Sequence, residues 1–161
     1  MKRAFLQWFV RLTGKYVWVL ANVYGVKVNR SGAALGQHPL TFLGGVNQVS
    51  HQTPASCYFN TRSGSITVGA NTVFGEDVKV LTGKHANINE VETQNVLLHH
   101  VPESGRDIVI GEGCYIGSGA IIIGPVTIGD FTVIGAGSVV TKSFPDRVFV
   151  GGNPAKLIRN L

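Results

Sequence analysis

Ile110-Gly-Glu-Gly-Cys-Tyr-Ile116-Gly-Ser-Gly-Ala-Ile-Ile122-Ile-Gly-Pro-Val-Thr-Ile128-Gly-Asp-Phe-Thr-Val-Ile134-Gly-Ala-Gly-Ser-Val-Val140 places a branched aliphatic residue at every sixth position without a break, and Gly follows four of the six. The same beat runs through Val68, Phe74 and Val80, with Gly69 and Gly75 behind the first two. A period of six fits neither the 3.6 residues of a helical turn nor the alternation of a hairpin sheet. It fits a solenoid in which each hexad supplies one short strand and one corner. Gly suits such corners through its permissive dihedrals and the close approach it allows to the next coil. Cys114 shares the fifth place of its hexad with Ala120, Thr132 and Ser138, all small, so packing is its expected role.

Working outward, 161 residues make one domain with enough apolar material for a core. Cys57 and Cys114 form no metal or redox spacing, and nothing suggests a disulfide scaffold, so the cytoplasm is the expected compartment. The net charge of +5 contains no long run of one sign. Nucleic acid is not an expected partner, because the repeat region lacks aromatics interleaved with Arg. Residues 1–25 read as a helical segment, broken at Gly14, with Arg11 and Lys15 interrupting its apolar run. Its longest uncharged stretch, Tyr16 to Val26, is too short to span a bilayer. No small-residue cleavage site follows, so no signal peptide is expected. The helix is read as a cap on the solenoid, with peripheral membrane contact as the alternative.

Coils occupy 26–143, the first of them blurred around Phe42 to Thr61, and 144–161 form a tail. The phase of the repeat locates an excursion. Val80 and Ile110 lie thirty positions apart, a multiple of six, whereas uninterrupted winding reaches its next core position at 86. About 24 residues are therefore extra, a long inserted loop at roughly 85–107. This segment is polar and holds His85, His99 and His100, three of the five histidines. Loops of this length in compact domains usually carry function. Val96, Leu97 and Leu98 read as a short strand leading into His99 and His100, with one ring inward and one outward.

Three stretches carry a family resemblance: Ile110 to Ala120, Val133-Ile-Gly-Ala-Gly-Ser-Val-Val-Thr-Lys142, and Gly152-Asn-Pro-Ala155. They resemble the hexapeptide-repeat acyltransferases, over a region from about Tyr58 to the C-terminus. The sugar O-acetyltransferases match best, through Tyr58-Phe-Asn60, Leu81-Thr-Gly-Lys-His85 and Gly135 to Lys142. The resemblance implies an all-β fold, a left-handed parallel β-helix with three hexads per coil, assembled as a homotrimer. Its left hand comes from the resemblance alone, since ordinary crossovers favour the right. Many relatives follow the loop histidine with a carboxylate or proline, where this chain has Ala86.

The same resemblance implies an acyl-CoA-dependent acetyltransferase, with acetyl-CoA as donor, a sugar or glycan hydroxyl as acceptor, and no metal. An alcohol needs a base to remove its proton, and a neutral imidazole, with a reference pKa of about 6.5, can take it. His85 is the candidate base. Asn60 is placed across the site from it as a binding or orienting amide; its alternative role is a turn residue. Ser118 and Ala136, one coil apart, stack on one corner and offer backbone N–H groups to the thioester and pantetheine. Thr141 and Lys142 are placed at the nucleotide of the donor, with Lys156 and Arg159 adding charge for its phosphates. His38 and His51 carry no functional expectation.

Three rivals stay open. One is N-acetyl transfer to an amino sugar. Another is a metal enzyme like the γ-class carbonic anhydrases, which needs three converging histidines; the adjacent His99 and His100 do not supply its spacing. The third is a non-catalytic trimeric solenoid.

Overall fold

The computed structural model describes residues 35–45, 51–83, 85–86, 88–94, 97 and 99–161. The expected helix at 1–25 lies outside them. Among the described residues, fourteen short strands and one named helix follow in order. They are β1 (Leu35–Gly36), β2 (Leu40–Phe42), β3 (Tyr58–Thr61), β4 (Ile66–Val68), β5 (Val73–Phe74) and β6 (Lys79–Leu81). Helix α1 (Ile88–Gln94) comes next. Then come β7 (Ile108–Ile110), β8 (Tyr115–Ile116), β9 (Ile121–Ile123), β10 (Val126–Ile128), β11 (Val133–Ile134) and β12 (Val139–Val140). The chain ends with β13 (Val148–Gly151) and β14 (Lys156–Asn160).

From β3 to β12, successive strands join three different sheets in rotation. Sheet I is β1-β3-β6-β9-β12, sheet II is β2-β4-β7-β10, and sheet III is β5-β8-β11-β13-β14. All pairings but the last are parallel, as a solenoid requires. In the regular coils the register advances by eighteen residues: Ile108 pairs with Val126, Tyr115 with Val133, and Ile121 with Val139. One turn therefore consumes three hexads.

The beat in the sequence is the core. Ile116, Ile122, Ile128, Ile134 and Val140 are fully buried and Ile110 is 1 % exposed. The residue two positions earlier in each hexad also points inward, because strand side chains alternate. There Cys114, Ala120, Thr132 and Ser138 are buried. Polar members bond to backbone in the adjacent coil: Thr132 Oγ1 donates to Pro145 O at 2.9 Å and Thr72 Oγ1 to Gly111 O at 2.7 Å. In the early coils Phe42, Phe59 and Phe74, one from each sheet, meet edge to face with centroids 5.6 Å apart.

The corner glycines act through close approach alone. No left-handed φ is found at Gly69, Gly75, Gly111, Gly117, Gly129 or Gly135, whereas a Cβ at any of the first five would collide with the next coil. The left-handed residues come two places later, at Asn71, Asp77, Gly113, Gly119, Phe131, Gly137 and Arg147. These turn the chain from sheet II to III and from III to I.

The two ends of the solenoid depart from regular winding. Winding is already established at Leu35, which pairs with Asn60, and at Leu40, which pairs with Ile66. The beat is blurred there because the offsets differ from eighteen. At the other end, Phe144 bridges Ile128, and β13 pairs with β11, so the residues after 143 continue the last coil. Only then does the chain fold back as β14, antiparallel to β13. No helix among the described residues is long and apolar enough to cross a membrane.

Candidate active site

Residues 82–107 connect β6 to β7, yet β4 and β7 are paired neighbours, Ile66 beside Ile108. The excursion thus leaves the coil and returns to it without disturbing the stack. Its two ends are tied to each other. Ala86 N–H donates to His100 O at 2.7 Å, and Nδ1 of His85 lies 2.8 Å from His99 O. Ala86, where relatives carry a carboxylate or proline, is buried here and held by its backbone.

That second contact fixes a tautomer. A carbonyl oxygen only accepts, so Nδ1 of His85 must carry the hydrogen, and in the neutral ring the lone pair then sits on Nε2. The ring is exposed in the single chain. It is thus held at one nitrogen, and among the described residues no group bonds the other.

Leu97 is outside any strand, His100 N–H donates back to Leu97 O at 2.8 Å, and both histidines are exposed. Val96 and Leu98 lie outside the described residues.

Asn60 projects outward from β3, between buried Phe59 and Thr61. Its Oδ1 accepts the Arg62 N–H at 2.9 Å, which is the turn role, and this leaves Nδ2 as a donor. The amide lies against the strand end that precedes His85: a Cβ at Gly83 would lie 3.0 Å from Asn60 Oδ1. A groove of about 820 Å³ opens here, lined by Tyr58, Asn60, Arg62, His99, His100 and Glu103. Sequence reasoning passed over Tyr58 and Arg62 as site residues, although Tyr58-x-Asn60-x-Arg62 has the period of a strand face. His38, which carried no functional expectation, has its Nε2 2.6 Å from Glu103 O.

Ser118 and Ala136 do stack. Gly117 has Ala136 N 2.5 Å from its would-be Cβ, and Gly137 N–H donates to Ser118 O at 2.9 Å. Both residues are exposed on the corner between sheets III and I. Among the described residues, no protein acceptor meets either backbone N–H. Ser118 Oγ accepts Glu76 N–H at 3.2 Å. Thr141 and Lys142 follow β12 and are exposed, with the Lys142 ammonium 5.6 Å from the Phe144 ring. Lys156 and Arg159 lie on β14, the Arg159 guanidinium 5.9 Å from the Phe149 ring.

Neither cysteine fits a nucleophile. Burial pushes the Cys57 thiol up to about 11 and Cys114 above its ordinary value. Among the described residues, no three His, Cys, Asp or Glu side chains cluster as a metal site.

The family model for the bacterial transferase hexapeptide (six repeats) matches residues 107–142, β7 to β12 with their flanks. The chain is 38 % identical over 96 residues to the putative colanic acid biosynthesis acetyltransferase WcaF of Escherichia coli (strain K12), covering 60 % of this chain and 48 % of that one. It is 36 % identical over 97 residues to the galactoside O-acetyltransferase of the same organism, covering 60 % and 45 %. It therefore spans about half the length of these curated relatives. A solved maltose O-acetyltransferase from Clostridium difficile 630 shares the fold with a TM-score of 0.54 and 28 % identity, over 77 % of this chain and 57 % of that one. The hexapeptide-repeat resemblance read from the sequence is borne out.

Proposed function

Since residues 107–142 match the family model for the bacterial transferase hexapeptide, we propose that this chain is an acetyl-CoA-dependent transferase acting on a sugar or glycan hydroxyl. The observation that carries the mechanism is the His85 ring, fixed at Nδ1 by the His99 carbonyl with Nε2 open. Nε2 takes the hydroxyl proton as the acceptor oxygen attacks the thioester carbon. A C–O bond forms, the tetrahedral oxyanion collapses, and the C–S bond breaks. The leaving thiolate then recovers the proton from the imidazolium. Attack is direct, because both thiols are buried and their pKa values raised against ionisation.

The donor lies along the corner of Ser118 and Ala136, whose unpaired N–H groups bind the thioester oxygen and pantetheine amides. Short side chains let an extended arm rest against the coils. Thr141 and Lys142 receive the nucleotide, with Lys156 and Arg159 toward its phosphates. Asn60 Nδ2 donates to the acceptor.

The solenoid winds left-handed and works as a homotrimer. Outward positions on sheets I and III are largely apolar (Leu81, Ile121, Ile123 and Val139; Val73, Tyr115 and Val133), with Asn60 and Lys79 the polar ones on sheet I, while sheet II shows Thr41, Thr67 and Thr127 beside Val109. Sheets I and III thus suit subunit contact, and the Ser118 corner lies between them. The assembly is cytoplasmic. Thiol release from acetyl-CoA, measured across a panel of sugars, tests the reading. Release that depends on a hydroxyl-bearing acceptor supports it; coenzyme A that neither binds nor reacts with any acceptor defeats it.

A further inference from the structure

Within that acyl-transfer reading, we propose that the acceptor is an anionic sugar, and that Arg62 selects it by pairing with its carboxylate or phosphate. Tyr58, Asn60 and Arg62 leave the same side of β3 and its continuation, alternating with buried Phe59 and Thr61. Two residues along a strand span about 6.6 Å, so an aromatic ring, an amide and a guanidinium stand at regular intervals along one wall of the groove. Each offers a different contact to one small molecule. The Tyr58 ring presents an apolar face to a sugar ring. Asn60 Nδ2 donates to a hydroxyl, its Oδ1 being occupied by the Arg62 N–H. The guanidinium fork matches two oxygens of a carboxylate or phosphate.

Three observations make Arg62 more than a solvated surface charge. It lines the groove shared with His99 and His100, which in turn holds the His85 ring through the His99 carbonyl. Among the described residues its guanidinium meets no carboxylate, although Glu103 lines the same groove. Gly83 supplies no side chain where one would press on Asn60 Oδ1 at 3.0 Å and Arg62 Cβ at 3.1 Å. The row therefore stays open toward the strand that leads to His85. A single guanidinium between an amide and a ring suits one anionic group on a small acceptor, not the extended charge of nucleic acid.

The test compares a neutral hexose, the matching uronic acid and the matching 6-phosphate as acceptors for the wild type, Arg62→Gln and Arg62→Lys. The wild type should use at least one anionic sugar about tenfold better than the neutral one in kcat/KM, with the difference in KM. Arg62→Gln should bring that sugar to the neutral level, and Arg62→Lys should recover part of the gap as a point charge. The uronate and phosphate arms identify the anion. No anionic preference, or a preference that survives Arg62→Gln, overturns the proposal. Calorimetric titration of the same sugars into the coenzyme A-bound protein reads Arg62 without turnover. Anionic binding lost in Arg62→Gln alongside no transfer to any sugar would retain the selection by Arg62 and defeat the transferase reading. Binding indifferent to the substitution would defeat the selection itself.

Discussion

Replacing Gly117 by Ala should be far more damaging than replacing Gly119, although the two share a corner. At Gly117 a Cβ would stand 2.5 Å from Ala136 N and 2.8 Å from Ala136 Cα, both rigid backbone of the next coil. Restoring contact distance means parting the coils by roughly 1 Å. The bonds from Gly117 N–H to Ile134 O at 2.8 Å and from Gly137 N–H to Ser118 O at 2.9 Å would stretch out of range. Each such bond contributes about 1 kcal/mol net, and the overpacking adds about 2 kcal/mol, so the variant should lose about 4 kcal/mol. At Gly119, φ is +68° and nothing lies within 4 Å of a Cβ, leaving only the left-handed penalty of about 1 kcal/mol. Urea unfolding followed by circular dichroism separates the two as shifts in midpoint at constant m-value. Gly117→Ala should also weaken coenzyme A binding, because it displaces the Ala136 N–H. Equal losses at the two glycines, or a larger one at Gly119, would refute the close-approach explanation of the repeat.

Asp107→Ala should cost about 1 kcal/mol at pH 7, since Asp107 Oδ1 accepts Ser65 N–H at 2.7 Å and Ser65 O–H at 2.6 Å where solvent weakens both. The Ser65 bonds hold this carboxyl below its ordinary 3.8, so its contribution is full above that value and lost as pH falls through the lower folded one. Urea midpoints of wild type and variant should converge in acid; a gap that widens there would contradict the sign. Cys57 and Cys114 should resist an aromatic disulfide reagent at pH 8 in the native protein and react together on unfolding. Fast native labelling of either would place that thiol outside the core.

The central coils were legible because one physical rule repeats. Inward positions must be apolar or small at fixed spacing, so Ile110 to Val140 announce themselves and the Ser118–Ala136 stack follows from the eighteen-residue turn. The corner glycines were legible as corners, but their cause was only half visible: close approach depends on the adjacent coil, which no local sequence shows. Winding from Leu35 was obscured because its offsets, such as Leu40 to Ile66, break the six-residue phase. The same holds for Phe144 to Gly151, where a bridge replaces a full strand. Inside the excursion, Val96 to Leu98 had the composition of a strand, but of these only Leu97 is described, and it lies outside any strand. Helix α1 was missed, since Ile88 to Gln94 is short and lies in a polar run with no apolar periodicity. The His85–His99 contact joins a ring to a main-chain oxygen fourteen residues away, which side-chain identity does not encode.

The account stands most directly on the imidazole of His85. Steady-state turnover of His85→Ala with acetyl-CoA and the preferred acceptor, measured beside coenzyme A affinity, isolates its role. The expected result is a fall in kcat by a factor on the order of 10² or more, with donor affinity unchanged. Turnover equal to wild type, with the donor still bound, would contradict it.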